Sequence, residues 1–275
     1  MTATVALVRE SVPGVRRVAL DPGAVEKLGR NGVSVVAERG AGTSASYPDS
    51  AYADVKFVDS AAEALGSADI LVKIHPPTLE ELDALPEGAV VACFTEHEQH
   101  SDVVAKMRDR KITALSFELL PRITRAQTMD ALSSQATIIG YKGAIQAAEL
   151  SGRLFPMLTT AAGTIRPATV IVIGAGVAGL QAIATARRLG AQVQAYDIRL
   201  EVKQEVESLG ADFVELDLET EGSGDEEGYA VEMGEEFYRQ QRKEMGRVVP
   251  ESDVVIATAA IPGRPAPELV SSEMV

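Results

Sequence analysis

The sharpest chemical signal in the sequence is Gly174-Ala175-Gly176-Val177-Ala178-Gly179, a GxGxxG run after the apolar stretch 169–173 that opens a helix-forming segment. Each glycine has its own duty in such a turn. The first permits the reversal, the second lets backbone approach a pyrophosphate, and the third lets the helix lie close on the strand. Val177 starts the helix, whose N-terminal N–H groups attract the anion. An acid, Asp197, stands about 20 residues further on, at the end of the next apolar run. A carboxylate there accepts bonds from the adenosine ribose hydroxyls and repels a 2′-phosphate, favouring NAD over NADP. Arg199 argues the other way, or else caps the start of the following helix.

A second group lies in LPRITRAQTMDALSSQ, residues 120–135. Pro121 and the polar spacing of Arg122, Gln127 and Asp130 mark a loop, where binding groups concentrate. Thr128 or Asp130 equally suits the cap of the helix that follows. The Gln127 amide both donates and accepts, which suits holding a nicotinamide. Tyr229 sits among Gly222, Gly224, Gly228 and Gly234 in an acidic stretch, either as a lid or partner contact or as an ordinary exposed tyrosine. His75, His97, His100 and Cys93 show no metal-ligand spacing, so no metal site is expected. Arg17 and Lys73 read as remnants of a substrate pocket or as a surface pair.

These residues need a scaffold, and the pattern around them supplies one. Short apolar runs at 4–8, 33–37, 70–74, 90–94 and 112–117 read as buried strands, with helix-period segments at 24–30, 60–65, 79–85 and 101–110 between them. Continuous apolar strands alternating with helices predict a parallel sheet covered on both faces. Residues 131–158, long, mostly apolar and rich in small side chains, predict a buried helix joining two domains. A second series follows, with strands at 169–173, 192–197, 213–216 and 253–258 and helices at 177–189, 200–209 and 235–245. That order is a dinucleotide-binding half-sheet; a six-stranded sheet would need more chain, which predicts a truncated second domain.

Composition narrows the partners. The chain has 275 residues, 46% of them hydrophobic, enough for a sizeable core in one or two domains. Its net charge of −14 repels phosphate backbones, so nucleic acid is an unsuitable partner. Residues 215–236 are strongly acidic with no base and read as a solvated loop. No apolar run reaches the ~20 residues needed to span a bilayer. A single cysteine and an N-terminus without signal-peptide pattern predict a cytoplasmic location.

Beyond the Arg122 segment, YKGAIQAA, IGAGVAGLQAIATARRLGA, VKQEVESLGADFVE, GYAVEMGEEF and IPGRPAPELV also carry a family likeness. Together they resemble the alanine dehydrogenase/transhydrogenase family, and within it the NAD(H)-binding part of the proton-translocating NAD(P) transhydrogenase alpha subunit. The resemblance implies two Rossmann-like parallel-sheet domains joined by a long helix, with the cofactor in the cleft between them. Residues 1–130 would form the N-terminal domain, 131–158 the connecting helix and 159–275 the NAD-binding domain, the family's chain continuing past Val275. NAD(H) contacts are implied at Arg122, Ile123, Thr124, Gln127 and Ser133. Around the glycine turn they fall on Gly174, Gly176, Val177, Gly179, Asp197, Ile198 and Arg199, and further on at Gly228, Tyr229, Gln241 and Ala260.

By the same resemblance Arg122, Gln127 and Asp130 are catalytic, and Tyr229 belongs to a loop that closes over NAD(H). The implied reaction is hydride transfer from NADH to NADP⁺ in the NADP(H) site of a partner subunit, coupled to proton translocation by membrane-spanning subunits. A homodimer peripheral to the cytoplasmic membrane is implied as well. Two alternatives stand beside it: an alanine dehydrogenase-like oxidoreductase, and a non-catalytic NAD-binding module. Arg17 and Lys73 match positions that hold the keto acid in alanine dehydrogenases. Against that reading, His97 stands one position early relative to the catalytic histidine there, and the later catalytic aspartate would lie past Val275.

Overall fold

The structure, a computed structural model of the chain, describes residues 3–218, 234–259 and 266–275. It divides into two compact units, Met1–Ala131 and Leu132–Val275. In the first, six strands form one sheet: β1 (Thr4–Leu7), β2 (Ser34–Glu38), β3 (Lys56–Val58), β4 (Ile70–Val72), β5 (Val90–Cys93) and β6 (Thr113–Ser116). Their order is β3-β2-β1-β4-β5-β6, with every pairing parallel. Side chains alternate across a strand, and in β1 this splits the core in two. Val5 and Leu7 pack with Val25 of helix α1 (Pro22–Arg30), whereas Ala6 and Val8 face the other layer. That second layer is covered by α2 (Ala61–Gly66), α3 (Leu79–Ala84) and α4 (Ser101–Asp109) through Leu65, Leu82, Val103 and Met107.

Local chemistry starts these helices where the sequence places them. The Asp21 side chain accepts from Ala24 N ahead of Pro22, Ser60 accepts from Glu63 N, and Thr78 with Glu81 closes a capping box. Two expectations need correction. The run at 112–117 is no buried strand: β6 is the edge of the sheet, with Thr113, Ala114 and Leu115 exposed, because one side has no neighbouring strand to cover it. The strand β3 was not expected, since Lys-Phe-Val is too short and too charged to stand out as an apolar run.

All but the first residue of α5 (Ala131–Leu150) belongs to the second unit, and the helix ends eight residues short of the expected end at 158. Gly152 and Pro156 resist helix there. The chain turns instead into an unexpected antiparallel hairpin, β7 (Leu158–Thr160) and β8 (Gly163–Ile165), exposed throughout. Nor is α5 buried all round. Gly140 and Ala144 are inside, while Ile138, Ile139, Tyr141 and Leu150 are exposed. A Cβ on Gly140 would sit 2.0 Å from the Ala178 carbonyl oxygen, so only glycine lets α5 lie backbone to backbone on the glycine turn.

Four further strands follow: β9 (Thr169–Ile173), β10 (Gln192–Tyr196), β11 (Asp212–Phe213) and β12 (Val254–Ala257). They run parallel in the order β11-β10-β9-β12, the half-sheet that the sequence predicts. Val170 and Val172 of β9 pack with Ala182 and Ile183 of α6 (Val177–Arg188). Ile171 and Ile173 turn the other way, to Met245 of α8 (Glu235–Val248). The remaining helix, α7 (Lys203–Ser208), joins β10 to β11.

Candidate functional site

The glycine turn lies at the C-terminal end of β9, an interior strand of its sheet, where parallel sheets place their ligands. Gly174 takes φ +93°, and its N–H donates to the Tyr196 carbonyl oxygen at 2.7 Å. A Cβ there would meet Ala259 N at 2.8 Å. Thr258 just beyond β12 donates its hydroxyl to the Gly174 carbonyl oxygen at 2.8 Å, a support that sequence reasoning missed. On Gly179 a Cβ would fall 1.8 Å from that same oxygen, which holds α6 tight against the turn.

Gly176 behaves differently. It is the N-cap of α6 with no side-chain cap, and among the described residues nothing lies within 4 Å of a Cβ built on it. Open space therefore lies in front of a twelve-residue helix N-terminus, beside Val177, which is 38% exposed. Unsatisfied N–H groups and a glycine that leaves room for backbone-close approach are what a pyrophosphate requires. The residues present fit a dinucleotide.

Asp197 closes the far side of the turn. It is buried, and its Oδ2 accepts from Ala175 N at 2.7 Å, tying the end of β10 to the glycine run. Arg199 donates three further bonds to the same carboxylate: backbone N and Nε to Oδ1, and Nη2 to Oδ2, each at 2.9 Å. The Arg199 side chain is thus an ion-pair partner and not the helix cap that sequence reasoning offered; no side-chain cap forms at that helix start. Ile198 lies between the two, half-buried.

Beneath this edge, Tyr196 is buried and its phenol is pushed up to about 12, by desolvation first and by the nearby Asp197 charge against a lowering bond from Gln241. Gln241 Nε2 donates to the Tyr196 hydroxyl at 2.8 Å. Gln241 is only 3% exposed, and its Oε1 has no hydrogen-bond partner among the described residues.

In the first unit, Arg122, Ile123, Thr124 and Gln127 share one exposed segment between β6 and α5, pinned by the buried Ala126. Ala126 N donates to the Ile123 carbonyl and Met129 N to the Ala126 carbonyl, so Gln127 opens a 3-10 turn and Asp130 follows it. Ser133 stands in the first turn of α5, in the second unit. Gly228, Tyr229 and Ala260 lie outside the described residues.

Lys73 is neither a surface residue nor a partner of Arg17. Its ammonium is fully buried and donates to both Glu81 oxygens, at 2.9 and 2.8 Å, and to Ser11 Oγ at 3.2 Å. A lysine has three donors, so all are engaged. Arg17 instead reaches His75 Nε2 at 3.4 Å. His97 lies 3.8 Å from Glu118, and His100 3.5 Å from Glu96. No group among the described residues could hold a metal ion.

Two family models match the chain. One described as alanine dehydrogenase/PNT, N-terminal domain, matches residues 6–139, and the corresponding C-terminal domain matches residues 143–275. The chain belongs to the alanine dehydrogenase/PNT family. Within this family it is 46% identical over 279 residues to an NAD(P) transhydrogenase subunit alpha chain of Rhodospirillum rubrum, covering 98% of this chain and 73% of that one. The crystal structure of the transhydrogenase from Sinorhizobium meliloti superposes with a TM-score of 0.85 at 40% identity, over 98% of this chain and 74% of that one. The alanine dehydrogenase branch is more distant: that of Mycobacterium tuberculosis is 27% identical over 263 residues, 94% of this chain and 65% of its own. Resemblance to the transhydrogenase alpha subunit, read from the Arg122 and glycine segments, is borne out.

Proposed function

We propose that the chain binds NAD(H) at the Gly174 turn and serves as the NAD(H) component of a proton-translocating, Re/Si-specific NAD(P) transhydrogenase. The observation that carries this reading is the open space at Gly176 before the N-terminus of α6, bordered by Asp197. NADH, when bound, supplies a hydride that leaves with both electrons for NADP⁺ on a partner subunit. Val177 and the first N–H groups of α6 hold the pyrophosphate. Asp197 accepts the adenosine ribose, and Gln241 Oε1, which has no partner among the described residues, is available to a donor on the ligand. Gln127, with Arg122 and Asp130, orients the nicotinamide end, where a small misplacement costs rate steeply.

The partners in this reading are an NADP(H)-binding subunit and membrane-spanning subunits, which hold the chain at the cytoplasmic membrane. No helix among the described residues is long and apolar enough to cross a membrane itself. A homodimer is supported by exposed apolar side chains on α5 (Ile138, Ile139, Tyr141) and on the hairpin (Met157, Leu158, Ile165). Alanine oxidation is disfavoured because Lys73 is buried and engaged by Glu81 and Ser11.

The test mixes the chain with an NADP(H)-binding transhydrogenase component and follows hydride exchange, with L-alanine plus NAD⁺ run in parallel on the chain alone. Exchange that needs both proteins, and no alanine-dependent NADH, is expected. Gln127→Asn should lower exchange about tenfold, ~1.4 kcal/mol, with a smaller loss of NADH affinity. Alanine-dependent NAD⁺ reduction would overturn the reading in favour of the dehydrogenase. NADH binding with neither activity would leave a non-catalytic module.

A further inference from the structure

Glu118 stands four residues ahead of Arg122 in the sequence, and its side chain is tied to a different strand end. Strands β5 and β6 pair as far as Cys93 and Ser116. Two residues past that last pair, the Glu118 carboxylate continues the connection. Its Oε1 accepts from Thr95 N at 2.9 Å, from the Thr95 hydroxyl at 2.6 Å and from Glu96 N at 2.8 Å, while Oε2 accepts from Thr95 N at 3.1 Å. Thr95 is buried, and its hydroxyl also meets that of Ser116. Glu96 has φ +45°, a conformation that an L residue keeps only where its surroundings hold it. The Phe94 and Phe117 rings, edge to face at 5.6 Å, join the same two strand ends. Losing the carboxylate would therefore loosen this junction without parting the strands.

Beyond the junction the chain is exposed from Pro121 to Arg125 and is buried again at Ala126. Glu118 and Ala126 thus bracket Arg122, and Gln127 follows directly. We propose that Glu118 is a positioning residue for hydride transfer: its Oε1 fixes the base of the 119–130 segment on the end of β5 and so holds Arg122, Gln127 and Asp130 where they orient the nicotinamide. It acts through those residues, whose tolerance for misplacement is small because rate falls steeply with geometry. The role depends on the transhydrogenase reading, and two readouts keep their failures apart.

The test uses wild type, Glu118→Ala, Glu118→Gln, Thr95→Val and, as a stability control, Val25→Ala in the core around α1. Without nucleotide, trypsin cleavage after the exposed Arg122 and Arg125 is timed by mass spectrometry. With an NADP(H)-binding transhydrogenase component, hydride exchange at saturating NADH is measured beside the NADH dissociation constant. Glu118→Ala should be cut about tenfold faster at those two sites and should exchange about tenfold more slowly, with NADH affinity moved less than about threefold. Glutamine keeps an oxygen for the same donors, so Glu118→Gln should stay within about threefold of wild type in both readouts. Thr95→Val removes the hydroxyl donor alone and should shift both about threefold; it decides alone if Glu118→Ala does not fold, and overturns the role if it shifts neither. Val25→Ala should lower Tm and change neither. Wild-type cleavage or exchange in Glu118→Ala, a glutamine variant as slow as the alanine one, or equal slowing in Val25→Ala overturns the role of Glu118 while wild-type exchange stands. Wild type that binds NADH without exchange overturns the transhydrogenase reading, and this role with it.

Discussion

Gly176→Ala and Gly179→Ala add the same methyl three residues apart, and the geometry assigns them opposite consequences. At Gly179 the new Cβ would lie 1.8 Å from the Gly174 carbonyl oxygen and 2.8 Å from its carbon. Backbone cannot yield as a flexible side chain does, so α6 must move off β9 by about 1.5 Å, and overpacking of this kind costs ~1–3 kcal/mol, occasionally more. At the upper end, Tm falls by roughly 6–12 °C in a chain of this size. At Gly176 the backbone is extended, at φ −76° and ψ −167°, and the methyl meets no atom of the described residues within 4 Å. Losing a glycine N-cap costs under ~1 kcal/mol. The methyl does, however, occupy the space through which a pyrophosphate approaches the α6 N–H groups, so NADH affinity should fall about tenfold or more, at least ~1.4 kcal/mol. Circular dichroism melts report the first effect and NADH fluorescence titration the second, with no tryptophan in the chain to complicate the optical signal. Unchanged NADH affinity in Gly176→Ala refutes pyrophosphate binding at this turn, and an unchanged Tm in Gly179→Ala refutes the packing argument.

Two further outcomes are expected. Burial opposes ionisation of Glu118, but bonds from the Thr95 hydroxyl, its own backbone, Ser116 and Thr95 N outweigh it and hold the carboxyl below the usual glutamate range. A depressed carboxylate stabilises the fold above its unfolded pKa, and that contribution disappears as pH falls through the folded value. Urea midpoints of wild type should therefore drop on acidification below the usual glutamate range, and Glu118→Gln should drop less; matching acid limbs would refute this. For assembly, wild type should sediment as a dimer and a Met157→Glu, Leu158→Lys variant as a monomer. A monomeric wild type, or a variant that still pairs, removes the hairpin from the interface.

The alternation of strands and helices, the half-sheet around the glycine turn and the need for glycine at Gly174 were legible in the sequence, because they depend on local quantities. Side-chain period decides strand or helix, and the sign of φ decides where glycine must stand. Arg122, Gln127 and Asp130 could be placed in one loop, yet from spacing alone they suited a helix cap as well as a ligand.

What needed the tertiary structure were the facts set by residues far apart or by what lies across a face. Apolarity placed β6 inside, but its position at the sheet edge leaves Leu115 54% exposed. The close approach of Gly140 to Ala178 belongs to two helices whose separation no periodicity encodes. Lys73 suited a remnant of a substrate pocket or a surface pair, whereas in the fold Glu81 and Ser11 use all three of its donors. Asp197 and Arg199 are only two residues apart, yet whether the arginine caps a helix, meets a phosphate or clasps the aspartate is decided by burial. In a site withdrawn from water an unpaired charge is costly, and the two side chains meet each other there before they meet any ligand.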